Sequence, residues 1–190
     1  MISKALQFTG DILGMYLKNR MGLDENKVQL NNLIENNGNV PAGNQNKVVI
    51  SLINIEKETI RPFYNHSSKL KDGNYAEVNP GQRFNLDLLV SSNFDDYKET
   101  LKFLDEVILF FQSNPSVDAS SFSNIPPPIQ KLEYETERIN YHDMQSLWTA
   151  MGAKYRPSLV YRMRLVSVQM DEAYGYVPAI KSIANKVTNE

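Results

Sequence analysis

The amino-acid sequence predicts a single α+β domain in which a mixed, mainly antiparallel sheet is flanked by helices. Three observations lead there. The hydrophobic pattern gives the order helix, strand, strand, loop, strand, helix, strand, helix, strand. Several strands follow one another with no crossover helix long enough to force parallel pairing, which favours antiparallel neighbours. A chain of 190 residues is one domain by size and can bury a substantial core.

Each element has its own warrant. Ile2, Ala5, Leu6, Ile12, Leu13, Tyr16 and Leu17 recur at helical spacing, and the stripe stops near Met21-Gly22. Gly10 and Gly14 each lower helix propensity by about 1 kcal/mol relative to Ala. Packing must therefore hold this helix, and the two glycines mark either a packing requirement or the close approach of another backbone. Residues 28–33 read as a short strand, followed by the Asn- and Gly-rich ENNGNVPAGNQN, an exposed turn or loop. Residues 47–56 are nearly continuous apolar residues, the pattern of a central strand covered on both faces. Residues 59–82 hold Pro62, Gly73, Pro80 and Gly81 among polar residues; a loop of that length is either a partner-binding arm or mobile.

Phe84, Leu86, Leu88 and Val90 alternate as in a strand with one well-buried face. Asn93 or Asp95 then opens the strongest helix, with Tyr97, Leu101, Leu104, Ile108 and Phe111 as its core stripe and Phe103, Val107 and Phe110 broadening it. A stripe that wide exceeds what one sheet face covers, so burial on two sides is expected, with a neighbouring subunit one option for the second. Residues 113–128 form a linker in which Pro126-Pro127-Pro128 favours extended geometry. Residues 131–139 are a strand with Leu132, Tyr134 and Thr136 on one face. Asn140 caps a helix whose stripe is Met144, Leu147, Trp148 and Met151; Gly152 suits a left-handed cap, and Pro157 blocks continuation. The strand at 159–168 places Arg162 and Arg164 on one face and Tyr161, Met163 and Leu165 on the other. Ile180, Ile183, Ala184 and Val187 have helical spacing, yet 177–183 fits a strand equally well. Such a C-terminal segment either attaches to another subunit or frays.

Hydrophobic content of 42% and charged content of 22% are those of an ordinary globular protein. A net charge of −2 gives no general attraction to nucleic acid or anionic membrane. With no cysteine, disulfides, thiol catalysis and Cys-ligated metals are excluded. The N-terminus lacks the apolar core of a signal peptide and charges interrupt every longer apolar run, so cytoplasmic synthesis is expected, with no direct membrane insertion. His66 and His142 are the only histidines and have no metal-ligand spacing; His142 reads as a surface residue. No phosphate-loop, dinucleotide or nucleophile-elbow motif is present, and Asp95-Asp96 is better explained as helix N-terminal charge than as an acid–base pair. Asp105-Glu106 reads as a solvated edge. The pattern names no catalytic, cofactor or metal residue. Lys154, Tyr155, Arg156, Arg162 and Arg164 form the densest basic cluster, but paired arginines on a strand face more often meet carboxylates within the fold or across an interface than phosphates. Asn65-His66-Ser67 matches a glycosylation acceptor by chance.

The stretch LWTAMGAKYRPSLVYRMRLV resembles the closing signature of the cap, or tail-terminator, proteins of contractile injection systems, which are bacterial phage-tail-like particles. VVISLINIEKE and FNLDLLVSSNFDDYKETLKFLDEVILFFQSN fit the same family in the same order, so the resemblance spans roughly residues 2–170. It implies a tail-terminator-like domain over 1–170 and a C-terminal segment, 171–190, able to act as a partner-binding arm. Leu147, Trp148, Gly152, Tyr155, Pro157, Ser158 and Tyr161 match as fold markers rather than as a site. The family expectation is a ring of six subunits, distal to the baseplate, that binds the last rings of inner tube and sheath and stops both polymers. Sheath and tube proteins and further copies of the chain are then the partners, nucleic acid is not, no cofactor is needed, and the particle is released or anchored at a membrane. Many such caps carry a longer C-terminal extension, which leaves open whether this one caps alone or beside a second cap protein. The competing reading is a small monomeric binding or scaffolding domain.

Overall fold

The computed structural model describes residues 1–58, 67–69, 75–77, 84–167 and 175–177. The first helix, α1 (Ile2–Met21), stops at Gly22, whose φ of 65° is left-handed and whose N–H bonds Lys18 O. Gly14 has a packing reason: a Cβ there would collide with the Asn26 side chain, whose Oδ1 accepts the Val28 N–H and so shapes the turn into the first strand. At Gly10 nothing lies within 4 Å of where a Cβ would stand.

After α1 come β1 (Val28–Leu30), a short 3-10 turn (Ala42–Asn44), β2 (Lys47–Lys57), β3 (Ser67–Lys69), β4 (Tyr75–Glu77) and β5 (Phe84–Asn93). Then follow α2 (Tyr97–Ser113), β6 (Ser116–Asp118), β7 (Ile129–Thr136), α3 (Tyr141–Ala150), β8 (Ser158–Ser167) and β9 (Gly175–Val177). Six strands form the main sheet in the order β1-β2-β5-β8-β7-β6; β1 and β2 are parallel and every other pair is antiparallel. The α+β class and the mixed, mainly antiparallel sheet are as the sequence predicts. A second sheet of three strands, β3-β4-β9, is antiparallel throughout.

Strand alternation divides the core in two. Val48, Ile50, Leu86, Leu88, Val90, Tyr161, Met163 and Leu165 point to one face, where α1 and α2 cover them with Phe8, Ile12, Leu13, Leu17, Phe103, Val107 and Phe110. Val49, Leu89 and Val160 point to the other face, under α3 and its Trp148. Phe111 joins the larger core by stacking on Tyr161 at 4.0 Å between ring centroids.

Several expectations need correction. β2 is buried on both faces only from Val48 to Ser51; from Asn54 to Lys57 it is exposed, since β1 pairs with residues 48–50 alone. β5 is buried on both faces from Leu86 onward, not on one, since helices lie on both sides of this central strand. The buried stripe of α2 is Thr100, Phe103, Leu104, Val107, Phe110 and Phe111; Tyr97 and Leu101 are 64% and 43% exposed. The sequence stripe is therefore rotated, because the phenylalanines outweigh Tyr97 and Leu101 in the contest for the core. The α2 cap is Asp96, whose side chain accepts the Lys98 N–H, and not Asn93 or Asp95. The 113–128 linker contains β6, and its prolines make a turn closed by Ile129 N–H to Pro126 O at 3.0 Å, not an extended run. Within 59–82, β3 and β4 are described and the remainder lies outside the described residues, as do His66, Val168 and the 178–190 segment.

Candidate functional site

The Asn140 Oδ1 accepts the Asp143 N–H at 2.9 Å and so opens α3 as its sequence requires. Trp148 on the next turns is 3% exposed, its indole N–H directed at Met144 Sδ 3.2 Å away. Beyond the helix, Gly152 at φ +67° turns the chain back. Ala153 N–H bonds Trp148 O, and Tyr155 meets the Trp148 ring edge at 5.6 Å. Pro157 O accepts the Ser92 N–H at 3.1 Å, continuing the β5–β8 ladder past Ser158. Leu147, Trp148, Gly152 and Tyr155 thus belong to the α3 side, whereas Tyr161 faces the larger core. There burial pushes its phenol up to about 12, partly offset by a hydrogen bond with Thr136.

Along α3, between the loop that enters it and the loop that leaves it, lies an open groove of about 940 Å³, with Ile139, Met144, Trp148 and Ala153 in its wall and Tyr141 and Tyr155 at its rim. Tyr141 is 96% and Tyr155 66% exposed. A helix of ten residues covers less sheet than the two long helices opposite, which is why this side stays partly open.

Farther along the same face the surface becomes charged. Arg162 Nε lies 2.9 Å from Asp87 Oδ1 and 3.0 Å from Glu137 Oε1, and Glu56 stands 3.6 Å from Nη2. The hydrogen bond to Asp87 is the largest cause holding the guanidinium above its ordinary value. Asn54 donates to the other Asp87 oxygen at 3.1 Å. Arg164 pairs with Glu135 at 3.6 Å. The two strand arginines therefore meet carboxylates of their own fold, as expected. Sequence reading did not single out Asp87 or Glu137; the available signal was a lone carboxylate inside the apolar run LDLL.

The acidic pairs have structural work. Asp95 accepts from Gln45 and Asn46, Asp96 caps α2, and Glu106 accepts the Tyr16 hydroxyl at 3.2 Å with Arg20 at 3.5 Å. Asp105 is exposed and so is His142. Among the described residues no group of three or more potential metal-ligating side chains converges, and no helix is long and apolar enough to cross a membrane.

Residues 10–182 match the family described as the Pvc16 N-terminal domain. Two solved structures share the fold. One is the PVC sheath/tube terminator of an extracellular contractile injection system in its extended state, at 14% identity and a TM-score of 0.65 over 99% of this chain. The other is the tube-terminating cap of the anti-feeding prophage, at 14% identity and a TM-score of 0.53 over 74% of this chain. The chain spans 64% and 49% of the length of these two proteins. No curated protein matches it.

Proposed function

The chain belongs to the Pvc16 N-terminal domain family, in agreement with the resemblance read from its sequence, and on that footing we propose that it is a structural cap of a contractile injection system. It forms a ring at the end distal to the baseplate, binds the last rings of inner tube and sheath, and stops both from growing. The observation that carries this reading is the family match along 10–182, joined to a fold shared over 99% of the chain with a sheath/tube terminator. A terminator needs one surface that accepts the polymer end and another that offers no new docking edge; it needs no catalytic group.

Strand addition is the mechanism we propose for holding the sheath. The two stretches with least core pattern, 59–82 and the segment after residue 171, each supply strands to the three-stranded sheet, where Tyr75–Glu77 pairs with Gly175–Val177. Among the described residues β3 and β9 are the outer strands of that sheet, and an extended arm of the last sheath ring adds to one of them. Removing residues 172–190 takes β9 away and weakens sheath attachment while leaving the six-stranded sheet folded; unchanged attachment sinks this mechanism.

The test of the function is location. A tag at the C-terminus, purified from the native host and marked with gold, is expected at one end only of sheathed tubes in negative-stain images. Gold along the tubes makes the chain a sheath or tube component. Intact monomer with no tubes restores the monomeric scaffolding reading.

A further inference from the structure

Two uncovered apolar patches lie on opposite faces of the main sheet at the same end of it. On the α2 side, Tyr97 and Leu101 stand exposed beside the buried stripe. They follow directly on the last residues of β5. On the other side is the α3 groove, whose rim residue Tyr155 leads directly into β8. Ser91 of β5 and Ser158 of β8 are Cα partners, so these two chain ends are neighbours and the patches sit back to back. One patch is a convex helical ridge and the other is concave.

Their charges are opposite. Around the ridge, Asp95, Asp96, Glu99 and Asp105 stand against Lys98 and Lys102, a net of −2. At the groove, Arg138 in the lining and Lys154 and Arg156, which flank the rim residue Tyr155, stand against Asp143 of α3, a net of +2. Among the described residues none of those three bases forms an ion pair, whereas Arg162 and Arg164 on the neighbouring strand do.

We infer that the α2 ridge of one copy seats in the α3 groove of the next. The occupant is a second copy of this chain, which carries the matching shape and charge on its opposite face. Such a contact is head-to-tail, because it joins two different surfaces, and it generates a ring when the rotation between copies closes. Rotation about one axis keeps every copy in the same orientation to that axis, as a ring around a tube requires. The ion pairs at the rim set partner choice and register, and the apolar centre supplies the contact area. This assignment rests on the ring in the proposed function and names its two surfaces.

The absence of cysteine makes the test clean. Full-length chain carrying Leu101→Cys and Tyr155→Cys together, both at exposed positions, is treated with a short bis-maleimide in particles purified from the host. A ladder of covalent multimers is expected, while either single variant stays monomeric and a mixture of the two singles stops at dimer. Arg138→Glu with Arg156→Glu lowers the ladder yield about tenfold or more, and adding Glu99→Arg with Asp105→Arg, both on α2, restores it. Dimers from Leu101→Cys alone overturn the head-to-tail contact. Monomer from the double variant, with the tag still at one particle end, overturns the contact and leaves the terminator function standing. A ladder from chain that marks no particle end supports the contact and overturns the terminator function instead.

Discussion

The two faces of the main sheet are built to different standards. Against α1 and α2, three aromatic rings of α2 and the apolar stripe of α1 close over β2, β5 and β8, and Leu86, Leu88 and Met163 are fully buried. Against α3, five buried residues are ringed by half-buried ones, and the surface runs on into an open groove and a charged strip. One face makes the fold; the other holds itself just firmly enough to present a surface. The difference follows from helix length and from the number of large side chains each helix brings.

Leu88 and Leu89 test that difference directly, because they are adjacent in β5, fully buried, and point to opposite faces. Leu88→Ala is expected to cost about 4 kcal/mol in urea unfolding, near the upper part of the usual range, since the two-helix core relaxes little around a cavity. Leu89→Ala is expected to cost about 2 kcal/mol, because the single short helix above it settles inward. Equal losses break the comparison.

Next in size is the charged strip. Arg162→Ala leaves the 8% exposed Asp87 without its guanidinium and is expected to lose about 2 kcal/mol, less than a fully buried pair because the strip is partly wet. A double-mutant cycle with Asp87→Ala measures the coupling, and a value near zero removes the strip from the account.

Alkaline pH sharpens the comparison further, since both buried phenols lie on the tight face. The Tyr161 and Tyr134 hydroxyls titrate higher in the folded chain than their ordinary 10.0. Their ionised forms therefore favour the unfolded chain. Stability is fully present below pH 10 and declines as pH rises from 10 toward 12. Tyr161→Phe should flatten that decline in part, and Tyr161→Phe with Tyr134→Phe should flatten it further. Thermal melts across this range distinguish them.

The smallest effect is in α1. Gly10→Ala should gain up to about 1 kcal/mol, because the space at its Cβ is open and Ala is the better helix former. Gly14→Ala should gain nothing, as the new methyl displaces Asn26 from its bond to Val28 N–H.

Much of the fold was legible in the sequence because α1, α3 and β8 each carry a clear apolar pattern with a recognisable boundary. Apolar spacing and a stop residue, Gly22, mark the end of α1, and spacing, cap and stop residue, Asn140 and Gly152, bound α3. What was not legible depended on distant partners. The sequence alone does not show that Phe103, Phe110 and Phe111 rotate α2 away from Tyr97 and Leu101, since that is decided by the α1 and β8 surfaces they meet. Asn44 looks like an exposed loop residue, yet it is fully buried: its amide joins Asn31 to Asn32, and its carbonyl accepts from Asn93. Pairing between β4 and β9, nearly a hundred residues apart, leaves no local trace at all. The α3 groove was half visible, since Trp148 and Tyr155 stand in the signature stretch, but the openness that makes it a surface depends on α3 being short.

The most direct measurement is the length distribution of sheathed tubes from a host lacking this chain, beside the same host with the chain restored. Termination by this protein predicts tubes of broad, overextended length or with sheath detached at one end, returning to a narrow distribution on restoration. Tubes of unchanged length with both ends sheathed in its absence would contradict the account.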